Sequence, residues 1–303
     1  MRKEFSKVIE KIGKEDKKVI FMTGDLGFMA LEGIREIYGD RFINAGVSEQ
    51  NMITMAAAMA SEGFKVLCYS IAPFVVFRPA EQIRLDVCLH NMDVKIIGNG
   101  GGYGYGIMGA THHAIEDIAA LSSFQNMRCY IPFCAEDTKA VVTSMMRRQG
   151  PAYLRLAKGA LPENFHLAAY KPLRRIVSGS KVTVIAFGPV VLNVLEAISK
   201  LAKDNLVDLF VVSELPMTKI NRDFAESLNR TGKLIIYEEH VRRGGLGENL
   251  AVLLLENQIN TKVKHLYAKG YPNNLYGSQQ YHFRVNNLDT LSLKKAILKL
   301  ADE

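Results

Sequence analysis

Three stretches of this chain place chemistry-bearing side chains where a fold could use them. The first is Gly46-Val47-Ser48-Glu49-Gln50-Asn51, which runs into a helical pattern with Met52, Met55, Ala56 and Met59 on one face. Ser48 is a residue type that caps helix N-termini, so Glu49 is expected in the first helical turn, where a strand hands over to a helix. In doubly wound sheets that end of the strands is where ligands bind. A carboxyl group there has a plain use, complementing the helix dipole in its ionised form. In an apolar pocket it can instead hold a proton near neutral pH and serve as an acid. The second stretch, Ala72-Pro73-Phe74-Val75-Val76-Phe77-Arg78-Pro79, reads as a loop whose rings either fill the core or offer a stacking face to a flat ligand. The third is the glycine-rich run from Gly98 to Asp117, which carries Thr111, His112, His113 and Glu116. Gly104, Gly106 and Gly109 form a formal G-x-G-x-x-G, but the match begins several residues past the strand, and no acidic residue closes a following strand at the dinucleotide-binding distance. Paired histidines on such a loop are either surface residues or contacts to a substrate.

The elements that must carry these stretches follow from periodicity. Phe5, Val8, Ile9 and Ile12 fall at helical spacing, so a surface helix opens the chain. Short apolar or β-branched runs at 19–23, 41–45, 65–70, 93–98, 128–132 and 152–157 alternate with longer stretches of helical period, which predicts a parallel α/β sheet with helices on both faces. From about 158 to 180 two prolines and scattered charges interrupt any period, and 161–180 reads as a linker. The pattern resumes with strands at VTVIAFG, VDLFVVS, KLIIYEEH and VKHLYA and helices near 189–203, 219–230, 246–257 and 290–302. The expected fold is α/β: a doubly wound, largely parallel sheet over 1–160, the linker, then a smaller α/β domain over 181–303.

Composition narrows the function class. With 48% hydrophobic and 23% charged residues the chain is globular material, long enough for two cores. The net charge of +7 is spread through short mixed-sign runs, without the basic stripe and stacking aromatics of a nucleic-acid binder; it suits anionic small molecules. No apolar run reaches the roughly 18–20 residues that span a bilayer, and the N-terminal residues lack the apolar centre of a leader, so a cytoplasmic location without membrane contact is expected. Cys68, Cys88, Cys129 and Cys134 have no C-x-x-C spacing and lie mostly in apolar runs, as small buried hydrophobes do.

The run G-V-S-E-Q-N, the small-residue helix after it, Gly63-Phe64-Lys65-Val66, the aromatic stretch with Glu81-Gln82-Ile83-Arg84, and the glycine loop ending in Thr111-His112 resemble the transketolase family. VVSELPMTKIN and LIIYEEHVRRGGLGENLAVLLLE are similar to that family's C-terminal domain, so the resemblance covers essentially the whole chain. It implies a thiamine-diphosphate pyrimidine-binding fold. Glu49 would hydrogen-bond the pyrimidine ring nitrogen and promote the imino tautomer that deprotonates the thiazolium carbon. That role requires a raised carboxyl pKa, and burial, which can move one by several units, is expected to outweigh a dipole effect of about 1 kcal/mol. One of Phe74 and Phe77 would stack on the aminopyrimidine, with the spacing from Glu49 favouring Phe77. His112 would line the substrate channel as a catalytic and sugar-contacting residue. Thr23-Gly24-Asp25-Leu26 would be the family's strand-end motif, with Asp25 near the cofactor and Thr23 near the substrate.

This chain also departs from the family pattern. Met108 stands where the family has an aspartate that reads the donor's hydroxyl, Gly100 where it has a phosphate-contacting histidine, and Lys158 where it has a phosphate-reading arginine. Lysine can pair a phosphate only as a point charge. The family's diphosphate and magnesium motif, G-D-G with a downstream asparagine, is not matched: Gly24-Asp25 is followed by Leu26, and Asn51 belongs to the helix of Glu49. No metal ligand is assigned here, so thiamine diphosphate would be held by its pyrimidine half only, with Mg2+ on a partner. The implied protein is the C-terminal subunit of a split transketolase, paired with an N-terminal transketolase subunit that carries G-D-G and self-associating into a dimer or an α2β2 assembly. It would move a two-carbon ketol unit from a phosphorylated ketose to an aldose. The rivals are a β-type chain of a 2-oxo acid dehydrogenase, a deoxyxylulose-phosphate synthase fragment, and a binding module that kept the fold without the chemistry.

Overall fold

In a computed structural model, which describes residues 1–27, 29–201 and 205–303, the chain opens with helix α1 (Arg2–Glu15), its Phe5 and Ile9 buried. The apolar runs that follow form β1 (Val19–Thr23), β2 (Phe42–Asn44), β3 (Lys65–Ile71), β4 (Val94–Asn99), β5 (Arg128–Tyr130) and β6 (Ala152–Leu156). Between them lie α2 (Glu32–Tyr38), α3 (Glu49–Ser61), α4 (Ala72–Phe77), α5 (Ala80–Gln82), a π-helical turn at Ile83–Leu89, α6 (Asp117–Ser122) and α7 (Ala135–Arg147). The six strands pair in parallel in the order β5-β6-β4-β3-β1-β2. Alternation within one strand feeds two layers. Val19 and Phe21 pack with Phe5 of α1, Ile34 of α2 and Val141 of α7, while Ile20 and Met22 pack with Met52 and Ile53 of α3.

The second half supplies β7 (Leu173–Val177), β8 (Val182–Phe187), β9 (Val207–Val212), β10 (Glu214–Leu215), β11 (Lys233–Val241) and β12 (Lys262–Ala268). It also supplies α8 (Val190–Ser199), α9 (Arg222–Thr231), α10 (Leu246–Glu256), α11 (Gln279–Asn286) and α12 (Thr290–Asp302). Its sheet runs β12-β11-β8-β9-β7, parallel except for β7 against β9. The fold is thus α/β with two largely parallel sheets. β10 does not join the second sheet; it pairs antiparallel with β5 and ends the first. The apolar core follows suit, since Met22 and Met52 belong to the same buried cluster as Phe210 and Leu250.

Four local expectations are corrected. Strand β7 lies inside the predicted linker; its charged residues disguised it, yet Arg174 is buried and its Nη2 meets Asp137 Oδ1 at 2.6 Å. The stretch Ala72–Phe77 is a helix and not a loop, with Pro73 in its first turn, where a missing N–H costs nothing. Ser48 does not cap α3 with its side chain; its hydroxyl donates to the Ala45 carbonyl at 2.7 Å. Helix α11 was not expected. The predicted helix near 189–203 ends at Ser199 as α8, and its positions 202 and 203 lie outside the described residues. All four cysteines are free and buried. Among the described residues no helix is long and apolar enough to cross a membrane.

Because β1, β2, β3 and β4 are parallel, the segments leaving their C-terminal ends share one edge of the sheet. Those segments contain Asp25, Glu49, Phe74, Phe77, Arg78, His112 and His113.

Candidate active site

Glu49 opens α3 and is 3% exposed. Its carboxylate lies over the ends of β1 and β3: a Cβ added at Gly24 would stand 3.7 Å from its Oε1, and Ser70 Oγ donates to Oε1 at 3.4 Å. Its main partner is one the sequence did not disclose. Arg78 Nη1 donates to Oε1 at 3.0 Å and to Oε2 at 2.9 Å. The same guanidinium lies over the Phe74 ring, 3.9 Å from its centroid. Both contacts follow from α4: Phe74 and Arg78 are four residues apart and share a face. A cation is thus held over an aromatic ring with one N–H nitrogen on both oxygens of a buried carboxylate.

His112 completes the cluster. Its ring meets Phe74 edge-on at 5.2 Å and Tyr105 at 5.9 Å, and its Nδ1 shares a hydrogen bond of 2.9 Å with Thr111 Oγ1. Tyr105 is steadied in turn by Asn99, whose Nδ2 donates to the phenol oxygen at 2.9 Å. Glu49, Phe74 and His112 are therefore brought together, with Arg78 and Tyr105 as members that local pattern did not single out. Phe77 is on the exposed side of α4, 41% open to solvent. Ile107 and Met108, on the loop just before His112, are exposed as well.

The other candidates stand apart from this cluster. Asp25 adopts φ +56° and exchanges hydrogen bonds with Asn44, whose Nδ2 donates to Asp25 Oδ1 at 2.9 Å. Thr23 is buried and its hydroxyl donates to the Leu26 carbonyl at 2.9 Å. Both line a hollow of about 260 Å³ with Leu31, Arg35 and Asn44, whose walls include neither Glu49 nor His112. Lys158 is exposed two residues beyond β6 and has no polar partner among the described residues. A cavity of about 790 Å³ between α1 and α7 is lined by none of these residues. Among the described residues no three His, Cys, Asp or Glu side chains are grouped to hold a metal ion.

His113 faces the other way. It is 2% exposed, with Nε2 2.8 Å from the Gly106 carbonyl and Nδ1 3.2 Å from Tyr271 Oη. A carbonyl only accepts, so Nε2 carries the proton and Nδ1 accepts from the tyrosine. Burial pushes this imidazole down to about 4. Beneath it lies a fully buried polar network of Arg155, Asp117 and Glu239. Arg155 Nε donates to Asp117 Oδ2 at 2.9 Å, and its Nη2 donates to the carbonyls of Ala114 at 2.8 Å and Glu239 at 3.1 Å. Burial holds the Glu239 carboxyl above the usual range. Charged residues inside two predicted strands were the available sign of this network. On the far side of the second sheet, Glu238 accepts from the N–H groups of Leu246 and Gly247 at the start of α10 and from His265. That is a structural helix cap.

Comparison with known proteins fits this geometry. Residues 1–164 match the transketolase pyrimidine binding domain, and residues 173–284 match the transketolase C-terminal domain. One chain of the apulose-4-phosphate transketolase of Phocaeicola vulgatus is 28% identical, over 98% of this chain and 96% of its own length. A 1-deoxy-D-xylulose-5-phosphate synthase of Clostridium perfringens is 27% identical over 98% of this chain but only 48% of its own length. Among solved structures, a split gene transketolase described as an inactive beta4 tetramer superposes with a TM-score of 0.84 at 27% identity, covering 99% of this chain and 97% of that one. This chain belongs to the transketolase family and corresponds to the C-terminal half, the part made as a separate chain where the gene is split.

Proposed function

We propose that this chain carries the pyrimidine half of a thiamine diphosphate site and, with a partner chain holding the diphosphate and Mg2+, transfers a two-carbon ketol unit from a phosphorylated ketose to an aldose. The observation that carries this reading is the buried Glu49 carboxylate with the Arg78 guanidinium held between it and the Phe74 ring. An aminopyrimidine needs the same two surfaces, an aromatic plane and a carboxylate at the ring edge, so the residues present fit the group. Arg78, whose side chain is 44% exposed, can turn outward to yield that space.

Bound thiamine diphosphate would supply an electron sink for the carbanion of the transferred unit. Glu49 would hold a proton at the pyrimidine edge, and its burial makes that proton exchange with the ring and not with bulk water. Phe74 would set the ring plane, and Phe77 offers a second aromatic face beside it. His112 has Nδ1 tied to Thr111, which leaves Nε2 for a sugar oxygen. Lys158 is available for a substrate phosphate, and the names of both relatives above contain a sugar phosphate. The inactive beta4 tetramer supports a requirement for the second chain, because its name describes one kind of chain assembled without activity.

The test is to mix the purified chain with a partner bearing G-D-G, thiamine diphosphate and Mg2+, and to assay ketol transfer. Glu49→Gln is expected to lower kcat by about 10²- to 10⁴-fold, the range of a lost general acid. Full activity in that variant would overturn the assignment. A second reading, a deoxyxylulose-phosphate-synthase-like reaction, is favoured by Met108 in place of the donor-reading aspartate and by the second relative. Offering a 2-oxo acid as donor in the same assay separates the two.

A further inference from the structure

Between residues 100 and 109 the loop that carries His112 contains six glycines. Such a segment has little shape of its own and loses much backbone freedom when ordered. Here the second half of the chain imposes the shape. Tyr103 is fully buried and points away from the Glu49 cluster into a socket built on the far side. Its ring stacks on His282 at 4.7 Å and meets His113 and Tyr271 edge-on at 5.3 and 5.9 Å. Its hydroxyl donates to the Gly270 carbonyl at 2.7 Å, and Asn286 Nδ2 donates to that oxygen at 3.2 Å. The Tyr103 N–H donates to Glu239 Oε1 at 2.8 Å, an oxygen that also accepts from Gln279 Nε2 at 3.0 Å. A Cβ at Gly102 would stand 2.3 Å from that carboxyl carbon, so the backbone there must lack a side chain. The two ends of the loop are tied to the first sheet: the N–H groups of Gly100 and Gly101 both donate to the Leu156 carbonyl, and Arg155 holds the Ala114 carbonyl.

We propose that Tyr103 and Glu239 are positioning residues through which the C-terminal half seats the glycine loop and so fixes His112 and Tyr105 against Phe74. The C-terminal half then has a part in the site beyond assembly, although none of its described residues hydrogen-bonds or stacks on Glu49, Phe74, Arg78, Tyr105 or His112. The proposal rests on the reading of His112 as a substrate contact. An unseated loop would leave Glu49, Phe74 and Arg78 in place, because α3 and α4 are held by the first sheet. It would displace only the side chains that face the sugar.

The experiment uses the full chain, alone and assembled with its partner. Hydrogen exchange is followed by mass spectrometry in peptides from 100–114 and, as an internal reference, from 49–61. Tyr103→Ala and Glu239→Ala are expected to speed exchange in 100–114 only, and to lower kcat by about a hundredfold, the cost of a small misplacement of a reacting group. The Kd for thiamine diphosphate should stay unchanged. Tyr103→Phe keeps the ring and its stack on His282 and should restore kcat to within about tenfold of the unsubstituted chain. Unchanged exchange in 100–114, or a wild-type kcat, in Tyr103→Ala would overturn the proposal. If either alanine variant loosens the whole chain, Gln279→Ala removes a single bond to Glu239. It should raise exchange in 100–114 alone, and failure to do so would equally overturn the proposal. Absence of ketol transfer by the unsubstituted assembly would refute the functional reading, while the exchange measurements would still decide the seat.

Discussion

At the scale of single residues, the pairing of Arg78 with Glu49 joins a half-exposed cation to a buried anion. Removing the cation leaves the carboxylate with Ser70 at 3.4 Å as its remaining side-chain donor. Arg78→Ala is therefore expected to lower stability by about 2 kcal/mol in chemical denaturation, the cost of leaving a buried charged acceptor poorly paired. Arg78→Lys should recover only part of this, since an ammonium keeps the charge but not the delocalised guanidinium that lies over Phe74. Glu49 and His112 were singled out in the sequence because each belongs to a motif whose residues are neighbours in the chain; of the two phenylalanines the spacing favoured Phe77, whereas Phe74 is the one that lies beside Arg78 and His112. Arg78 was not singled out. Its partner lies 29 positions away, and only the meeting of α3 and α4 over one sheet edge brings the two together.

At the scale of elements, His113 makes the glycine loop sensitive to acid. Burial places its folded pKa at about 4, below the roughly 6.5 of an unfolded chain. The neutral ring is the form that fits, so its contribution is complete above about pH 6.5 and is lost as pH falls through about 4, an effect of up to about 3 kcal/mol. Burial lowers His240 and His282 as well, which adds to the same trend. Glu239 is raised by burial and works in the opposite sense, favouring the fold at low pH. Melting temperature measured from pH 7 to pH 4 should fall more steeply for the unsubstituted chain than for His113→Gln. Equal slopes would remove His113 from the account. Strands β1, β3, β4 and β6 of the first sheet were readable to within a residue because nearly every position in each is buried and their apolar runs are unbroken or nearly so. β7 was not, because its two arginines look solvated until Asp137 and Asp208 are brought beside them. α4 was not, because a proline between apolar residues reads as a break unless its place in the first turn is known.

At the scale of the molecule, large apolar side chains are exposed on the segments that leave the strands at the site's edge, Met29, Val47, Phe77 and Ile107, and Tyr276 of the second half is exposed too. The Tyr276 ring lies against Gly109, which follows the exposed Ile107 and Met108 in the chain. Contiguous apolar surface of this kind suits a contact with another chain. Ile107→Ser is expected to reduce self-association of the isolated chain in light scattering and to weaken binding to the partner by about tenfold, the effect of losing one well-packed interface residue. Unaltered affinity for both would place the contact elsewhere.

The short strand β10 bears on how the molecule is made. The first sheet is closed at β5 by Glu214 and Leu215, which lie beyond β7, β8 and β9 in the chain. During synthesis the outer edge of β5 therefore stays open while the earlier strands can already pair, with its N–H and C=O groups unmatched. Only when Leu215 has left the ribosome can that edge be covered. The first sheet is finished by the second half, so the first half completes its sheet only in the presence of the second.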